Sequence, residues 1–309
     1  TPQFHRCIQN IAPVVSSLHG SWLGERDGLL EASMAKEAAV WANVNDIAIR
    51  FTAERYAKFE NIAIRESSIC VANSRATRAD FESRYNPPPN WDCEVVHWGV
   101  DTEMFRPLDI ENEQENRNFT EIRTRFGVVS PGSKLLLAVG RLAARKGYGT
   151  LIRGFSALNK EMPNTKLVIV GRGHLKRRLM RLAKSLGVGE DVMIESSLSF
   201  AELAQLYRSS DLVVYPSFYE GQGLIPLEAM ASGVPVVTVD HGPLPEMVDE
   251  SVGALFTMGN IESMVSVMKE VLKAGRKKGE KGRARVLQKF TYSGNAESFE
   301  NIYLEAINR

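Results

Sequence analysis

The sequence predicts an α/β protein built on doubly wound parallel sheet, and three observations carry that prediction. Short Val- and Leu-rich runs recur at 135–139, 166–170, 192–194, 212–215 and 234–239. Turn residues bound each run, as expected of strands buried on both faces. Stretches of helical length separate the runs, which is the alternation of a parallel sheet with crossover helices. With 309 residues, 44% of them hydrophobic and 24% charged, the chain is long enough for two such domains.

The first half is less regular. A strand at 14–18 ends at His19-Gly20-Ser21-Trp22, and Glu25-Arg26-Asp27-Gly28 leads into helical stretches at 29–42 and 53–65. A buried strand at 69–72 is stopped by Asn73-Ser74. A helix at 76–85 is ended by Pro87-Pro88-Pro89, and a last strand covers 94–97. From 108 to about 120 Glu, Asn and Gln dominate, which marks a domain boundary; a polar insertion within one domain is the alternative. The expected organisation is a first domain at 1–107, a polar linker region at 108–132, a second domain at 133–290 and a C-terminal helix at 291–309.

Composition removes several classes of function. A formal charge of +1 lacks the basic footprint of a nucleic-acid protein. Cys7, Cys70 and Cys93 form no C-x-x-C pair, so neither a disulfide framework nor a zinc site is indicated, and a reduced cytoplasmic compartment is the simplest expectation. No apolar run is long enough to span a bilayer. The chain opens on Thr1-Pro2-Gln3-Phe4 without a signal peptide or initiator Met, which suggests a start partway through a gene or processing.

Chemistry converges on 215–233. Strand, loop, helix and strand follow one another there, which places the loop and the helix's free N–H groups at the carboxyl end of the sheet. Pro226 suits the first helical position and Gly233 the left-handed residue after the last. Glu220 lies in the loop and Glu228 one turn into the helix; carboxylates accept paired hydroxyl hydrogen bonds of the kind that sugars and ribose offer. After the strand at 135–139, Gly140-Arg141 and Arg145-Lys146-Gly147 put cations on the same edge, suited to a pyrophosphate or to ordinary surface exposure. Gly171-x-Gly173 lacks the third glycine of a dinucleotide fingerprint, because Lys176 stands in its place; it reads as a structural turn. His19, at a strand end facing a cleft, is suited to a reacting sugar or to a satisfied structural role. The basic cluster Lys273, Arg276, Lys277, Lys278, Lys281, Arg283 and Arg285 reads as a solvated helical face, with anionic lipid as the alternative. No Asp-x-Asp occurs, so a metal-bridged diphosphate has no evident ligand set.

Together GRLAARKG (140–147), KLVIVGRG (166–173), the segment 202–237, GPLPEMV (242–248), SLHG (17–20), ICVANS (69–74) and GVDTEMFRP (99–107) resemble glycosyltransferase family 4. That resemblance implies a GT-B fold, two Rossmann-like domains facing a cleft, the N-terminal one incomplete here by on the order of a hundred residues. It implies a metal-free retaining enzyme in which Arg141 and Lys146 hold the donor diphosphate and Glu228 the ribose hydroxyls. Glu220 and the backbone of Gly221, Gln222, Gly223 and Leu224 would hold the donor sugar, with His19 reaching it from the other domain and Glu246 in a further acidic position. Gln222 stands where the family commonly has Phe, Pro243 replaces a usual Gly, and His97-Trp98 replaces a usual Pro-Asn. The expected partners are a UDP- or GDP-sugar donor and a sugar, lipid or small-molecule acceptor, with peripheral membrane contact and a partner chain completing the first domain both left open. Two readings therefore stand: a retaining glycosyltransferase, and a nucleotide-sugar-binding truncated or partner-dependent subunit without independent catalysis.

Overall fold

The computed structural model describes residues 12–309; Cys7 lies outside the described residues. It contains two parallel sheets. The first, of three strands, has the order β1 (Val15–Leu18), β2 (Ile69–Ala72), β3 (Cys93–Val95). The second, of six, has the order β6-β5-β4-β7-β8-β9, from β4 (Lys134–Val139), β5 (Thr165–Val170) and β6 (Val192–Glu195) to β7 (Leu212–Tyr215), β8 (Val236–Val239) and β9 (Gly253–Phe256). Every strand pair is parallel. The chain order reverses between the neighbours β4 and β7, and a parallel sheet opens its ligand crevice at the carboxyl ends of such a pair. This reversal brings the loop after β4 against the loop after β7.

Burial follows the strand pattern. Leu135, Leu136, Leu137 and Ala138 are wholly buried in β4, as are Leu212, Val213 and Val214 in β7, and helices on both faces complete one large core. The first sheet has two small clusters instead. On one face Leu18, Cys70, Ala72 and Cys93 pack with Ala57, Ile64, Phe81 and Tyr85. On the other, Ile69, Val71 and Val96 are covered by Ile302 and Ala306 of the C-terminal helix Tyr292–Asn308. Cys70 and Cys93 are neighbours in strand register, and both are buried free thiols.

Local structure departs from the sequence reading in several places. The first helix spans Trp22–Met34, not 29–42, because Ser21 caps it through the Gly24 N–H at 2.9 Å. Gly24 and Gly28 are no helix breakers here. A Cβ on either would sit 2.4–2.5 Å from Tyr219, so their bare faces admit that ring from the other domain. The next helix is longer than expected, Val44–Glu66, and begins at the Asn43 cap. The polar stretch after Leu108 contains a helix, Glu113–Arg125, capped by Asn112, with acidic residues in its first turn and Arg123 and Arg125 in its last. Its Arg123 bonds the Ser209 and Ser133 carbonyls and Asp211, which ties it to the second domain. Finally, the helix after the 215–223 loop spans Leu224–Ala231, so Pro226 is its third residue rather than its first; an N–H is still unneeded there.

Candidate active site

The loops at the β4/β7 reversal are joined before any side chain is considered: the Phe218 N–H donates to the Arg145 carbonyl at 2.7 Å. That contact sets Lys146 against Glu220. The two form an ion pair, each with little exposure, and Glu220 also accepts from the Tyr215 hydroxyl at 2.6 Å and the Ser217 hydroxyl at 2.5 Å. Burial alone would raise the Glu220 pKa, but the Lys146 and Arg145 charges and these hydrogen bonds hold it below the ordinary value. The carboxylate is thus ionised and fixed in place. Arg145 meets Glu25 of the first domain at 3.1 Å. Arg141 differs from both: it is exposed and, among the described residues, its side chain makes no hydrogen bond or ion pair.

Glu228 occupies a second position on the same edge. The Tyr207 hydroxyl donates to its Oε2 at 2.7 Å, and burial raises its pKa. Gln222 is 2% exposed, and its amide is committed to the other domain: Oε1 accepts the Trp98 N–H at 2.7 Å and Nε2 donates to the Trp98 carbonyl at 3.0 Å. Gly221 lies backbone to backbone with His19, where a Cβ would come within 1.8 Å of the His19 oxygen. Its own carbonyl accepts from Ser74 at 2.6 Å and Thr77 at 2.9 Å. Gly223 precedes the helix as its cap and Leu224 opens it. His19 reaches this region from the end of β1, with its ring 4.6 Å from that of Trp98; burial lowers its pKa.

Two further carboxylates cross the interface, one in each direction. Glu246 accepts the Arg75 and Ala76 N–H groups at 3.0 and 2.8 Å, at the start of the first-domain helix Arg75–Tyr85, and meets His97 Nε2 at 3.0 Å. Burial would raise its pKa, and these bonds, His97 foremost, bring it below the ordinary value. Glu37, 2% exposed, accepts the Gly149 and Thr150 N–H groups at 2.6 and 2.5 Å, at the start of the second-domain helix Tyr148–Glu161. Carboxylates suit helix N-termini because the free N–H groups and the dipole both favour negative charge. Between the two domains lies an open pocket of about 480 Å³, lined by Glu220 and, among others, Ala76, Asp80, Tyr219 and His241.

A sequence model described as glycosyl transferases group 1 matches residues 121–285, more than half of the chain. The chain belongs to that family. Among curated glycosyltransferases, the D-inositol 3-phosphate glycosyltransferase of Segniliparus rotundus is 30% identical over 80% of this chain and 54% of its own length. The GDP-mannose-dependent alpha-(1-6)-phosphatidylinositol monomannoside mannosyltransferase of Mycolicibacterium smegmatis is 31% identical over 71% of this chain and 56% of its own. The chain therefore spans about half the length of the curated relatives it matches. Solved structures agree in fold. Sucrose-phosphate synthase from Thermosynechococcus elongatus superposes with a TM-score of 0.73 at 19% identity, over 98% of this chain and 77% of that one. Anabaena HepE, solved in complex with UDP-glucose, gives 0.72 at 20%, over 97% and 77%. The fold of this chain is GT-B.

Motifs alone signalled Lys146, Glu220 and Glu228, but not their hydroxyl partners Tyr215 and Tyr207 or the cross-domain role of Glu37. A tyrosine in a Val-rich strand reads as core; only its hydroxyl's neighbour says otherwise. The basic C-terminal cluster is spent mostly on carbonyls. Arg283 bonds Thr102, Phe105 and Ala231, Lys278 bonds Glu250 and Gly253, and Arg285 bonds Met247 and Asp249. Among the described residues no helix is long and apolar enough to cross a membrane.

Proposed function

We propose that this chain transfers a sugar, with retention of anomeric configuration, from a UDP- or GDP-sugar to a hydroxyl of a sugar, lipid headgroup or small molecule. The observation that carries this reading is the Lys146–Glu220 pair with Glu228 and the uncommitted Arg141 on one sheet edge at the β4/β7 reversal. In it Arg141 and Lys146 hold the diphosphate, and Glu228 takes the ribose hydroxyls while Tyr207 steadies its other oxygen. Glu220 and the backbone at 221–224 hold the sugar, and His19 faces it from the first domain. Departure and attack on one face let the leaving diphosphate take the acceptor's proton, so charge is neutralised by arginine, lysine and helix N–H groups rather than a metal.

Calorimetry of UDP and GDP binding to wild type and Glu228→Ala tests the site. The expected loss is on the order of 10-fold or more, the weight of hydrogen bonds to a charged group. Equal affinities would remove Glu228 from it. Glu220→Ala should chiefly lower transfer, and transfer should persist in EDTA. A second reading, a subunit that needs a partner for catalysis, is favoured by the contrast, among the described residues, of a three-stranded sheet with β1 at its edge and a six-stranded one. Full transfer by a monodisperse monomer in light scattering would rule it out.

A further inference from the structure

We propose that Trp98 is the positioning residue for the His19 imidazole, and that Gln222 of the second domain holds Trp98 for that task. The role rests on the reading of His19 given above. Residues 97–100 belong to no strand, yet they are tied down from several sides. The Gln222 amide takes both the N–H and the carbonyl of Trp98, at 2.7 and 3.0 Å. The His97 ring meets Glu246, its carbonyl accepts from Asn295 at 3.0 Å, and the Val100 N–H donates to Phe290 at 2.9 Å. A loop residue gripped by its own backbone has little freedom left except in its side chain.

That side chain packs on His19. The rings are 4.6 Å apart and inclined by 50°. His19 is otherwise exposed, at the open end of β1, and among the described residues no hydrogen bond fixes its ring. An unpinned imidazole samples several rotamers; one leaning on an indole is confined to those that keep the contact. The indole also removes water from one side of His19, which favours its neutral form. Neutral imidazole at a donor's sugar can accept a hydrogen bond from a hydroxyl, which imidazolium cannot.

Gln222 suits this task where an apolar side chain would not. An apolar residue at 222 would leave the Trp98 N–H and carbonyl without these partners, which is unfavourable for backbone groups turned away from water. Because Gln222 sits between Gly221, which touches the His19 backbone, and Gly223, which opens the Leu224–Ala231 helix, the same loop sets both domains' contributions. Placement of His19 is thereby coupled to the loop that faces the donor.

The test is an NMR titration of the histidine ring protons, with His19 identified among the five histidines by His19→Gln. In Trp98→Ala the His19 pKa should rise toward its ordinary value and its resonance broaden or shift, while Trp98→Phe, which keeps a ring there, should stay near wild type. Gln222→Ala should move His19 in the same direction as Trp98→Ala. In transfer assays, kcat for Trp98→Ala should fall on the order of 10- to 100-fold, the scale of a misplaced group, with the donor's KM nearly unchanged and Trp98→Phe recovering most of the loss. An unchanged His19 titration in both Trp98→Ala and Gln222→Ala overturns the proposal. The titration needs no turnover. A chain that transfers no sugar but shows the expected titration would refute the catalytic reading and leave the positioning intact.

Discussion

The second domain carries a six-stranded sheet between two helical layers and one continuous core; the first carries three strands and two small clusters. The difference shows in where each obtains its support. Much of what holds the first domain comes from the second half of the chain: Glu246 caps its Arg75–Tyr85 helix, Tyr219 fills the bare face of its Trp22–Met34 helix, and Ile302 and Ala306 cover one side of its sheet. In return it contributes Glu37 to the cap of the Tyr148–Glu161 helix. A small sheet has too little surface to bury on its own. It is stabilised here by its neighbour through these contacts.

Three measurements would break or sharpen this contrast. The largest effect is expected for Lys146→Ala, which strands Glu220 at the sheet edge of the better-built domain. Loss of one partner of a buried pair costs about 3–5 kcal/mol, so urea unfolding should show a loss of that size, and Lys146→Met with Glu220→Gln should recover part of it. A loss below about 1 kcal/mol would show that the pair is solvated rather than structural.

Glu246→Ala should act across the cleft. It removes a carboxylate cap, worth about 1–2 kcal/mol, from a helix in the other domain. Hydrogen exchange should quicken in residues 75–85 while β4, β5 and β7 stay as protected as in wild type. Unchanged exchange at Arg75 and Ala76 would mean that the first domain does not draw on this contact.

The third effect concerns pH and belongs to the first domain alone. Burial lifts the Glu60 carboxyl to about 7, against the hydrogen bonds from the Tyr85 hydroxyl and Trp22 N–H. A carboxyl that binds its proton more tightly when folded stabilises the fold fully below its ordinary pKa of 4.5 and loses that contribution as pH rises toward 7. First-domain stability, followed by exchange in 44–66, should therefore decline from pH 4.5 to 7.5, and Glu60→Gln should flatten the decline. An identical slope in the variant would assign it to other groups.

Much of the second domain was legible because its strands announce themselves. The runs at 135–139 and 212–215 are apolar throughout and end in turn residues, so their backbone fate needs no partner to be read. β9 was missed: Gly253-Ala254-Leu255-Phe256 is short and opens on glycine, and only the neighbouring edge of β8 makes it a strand. The sequence takes Glu25–Gly28 as a lead-in to the first helix although the helix already begins at Trp22, because what a glycine there does depends on what approaches it, and Tyr219 is almost two hundred residues away. Glu113–Arg125 was read as linker because it has no buried face; its caps and charge order are its evidence of helicity.

By itself the sequence determined the α/β class, the β7-loop-helix unit and the residue types at the sheet edge, since these follow from local periodicity and from chemistry close along the chain. Only the tertiary structure decided which polar groups are paired within the protein. Lys146 goes to Glu220, Glu246 to a helix of the opposite domain and Gln222 to the backbone of Trp98, while Arg141 stays uncommitted. The reason is distance: Glu246 and Arg75 are far apart along the chain, and hydrogen bonds act over about 3 Å. The strand reversal and the closed interface bring such groups together, and no pattern in one segment records where the other will be.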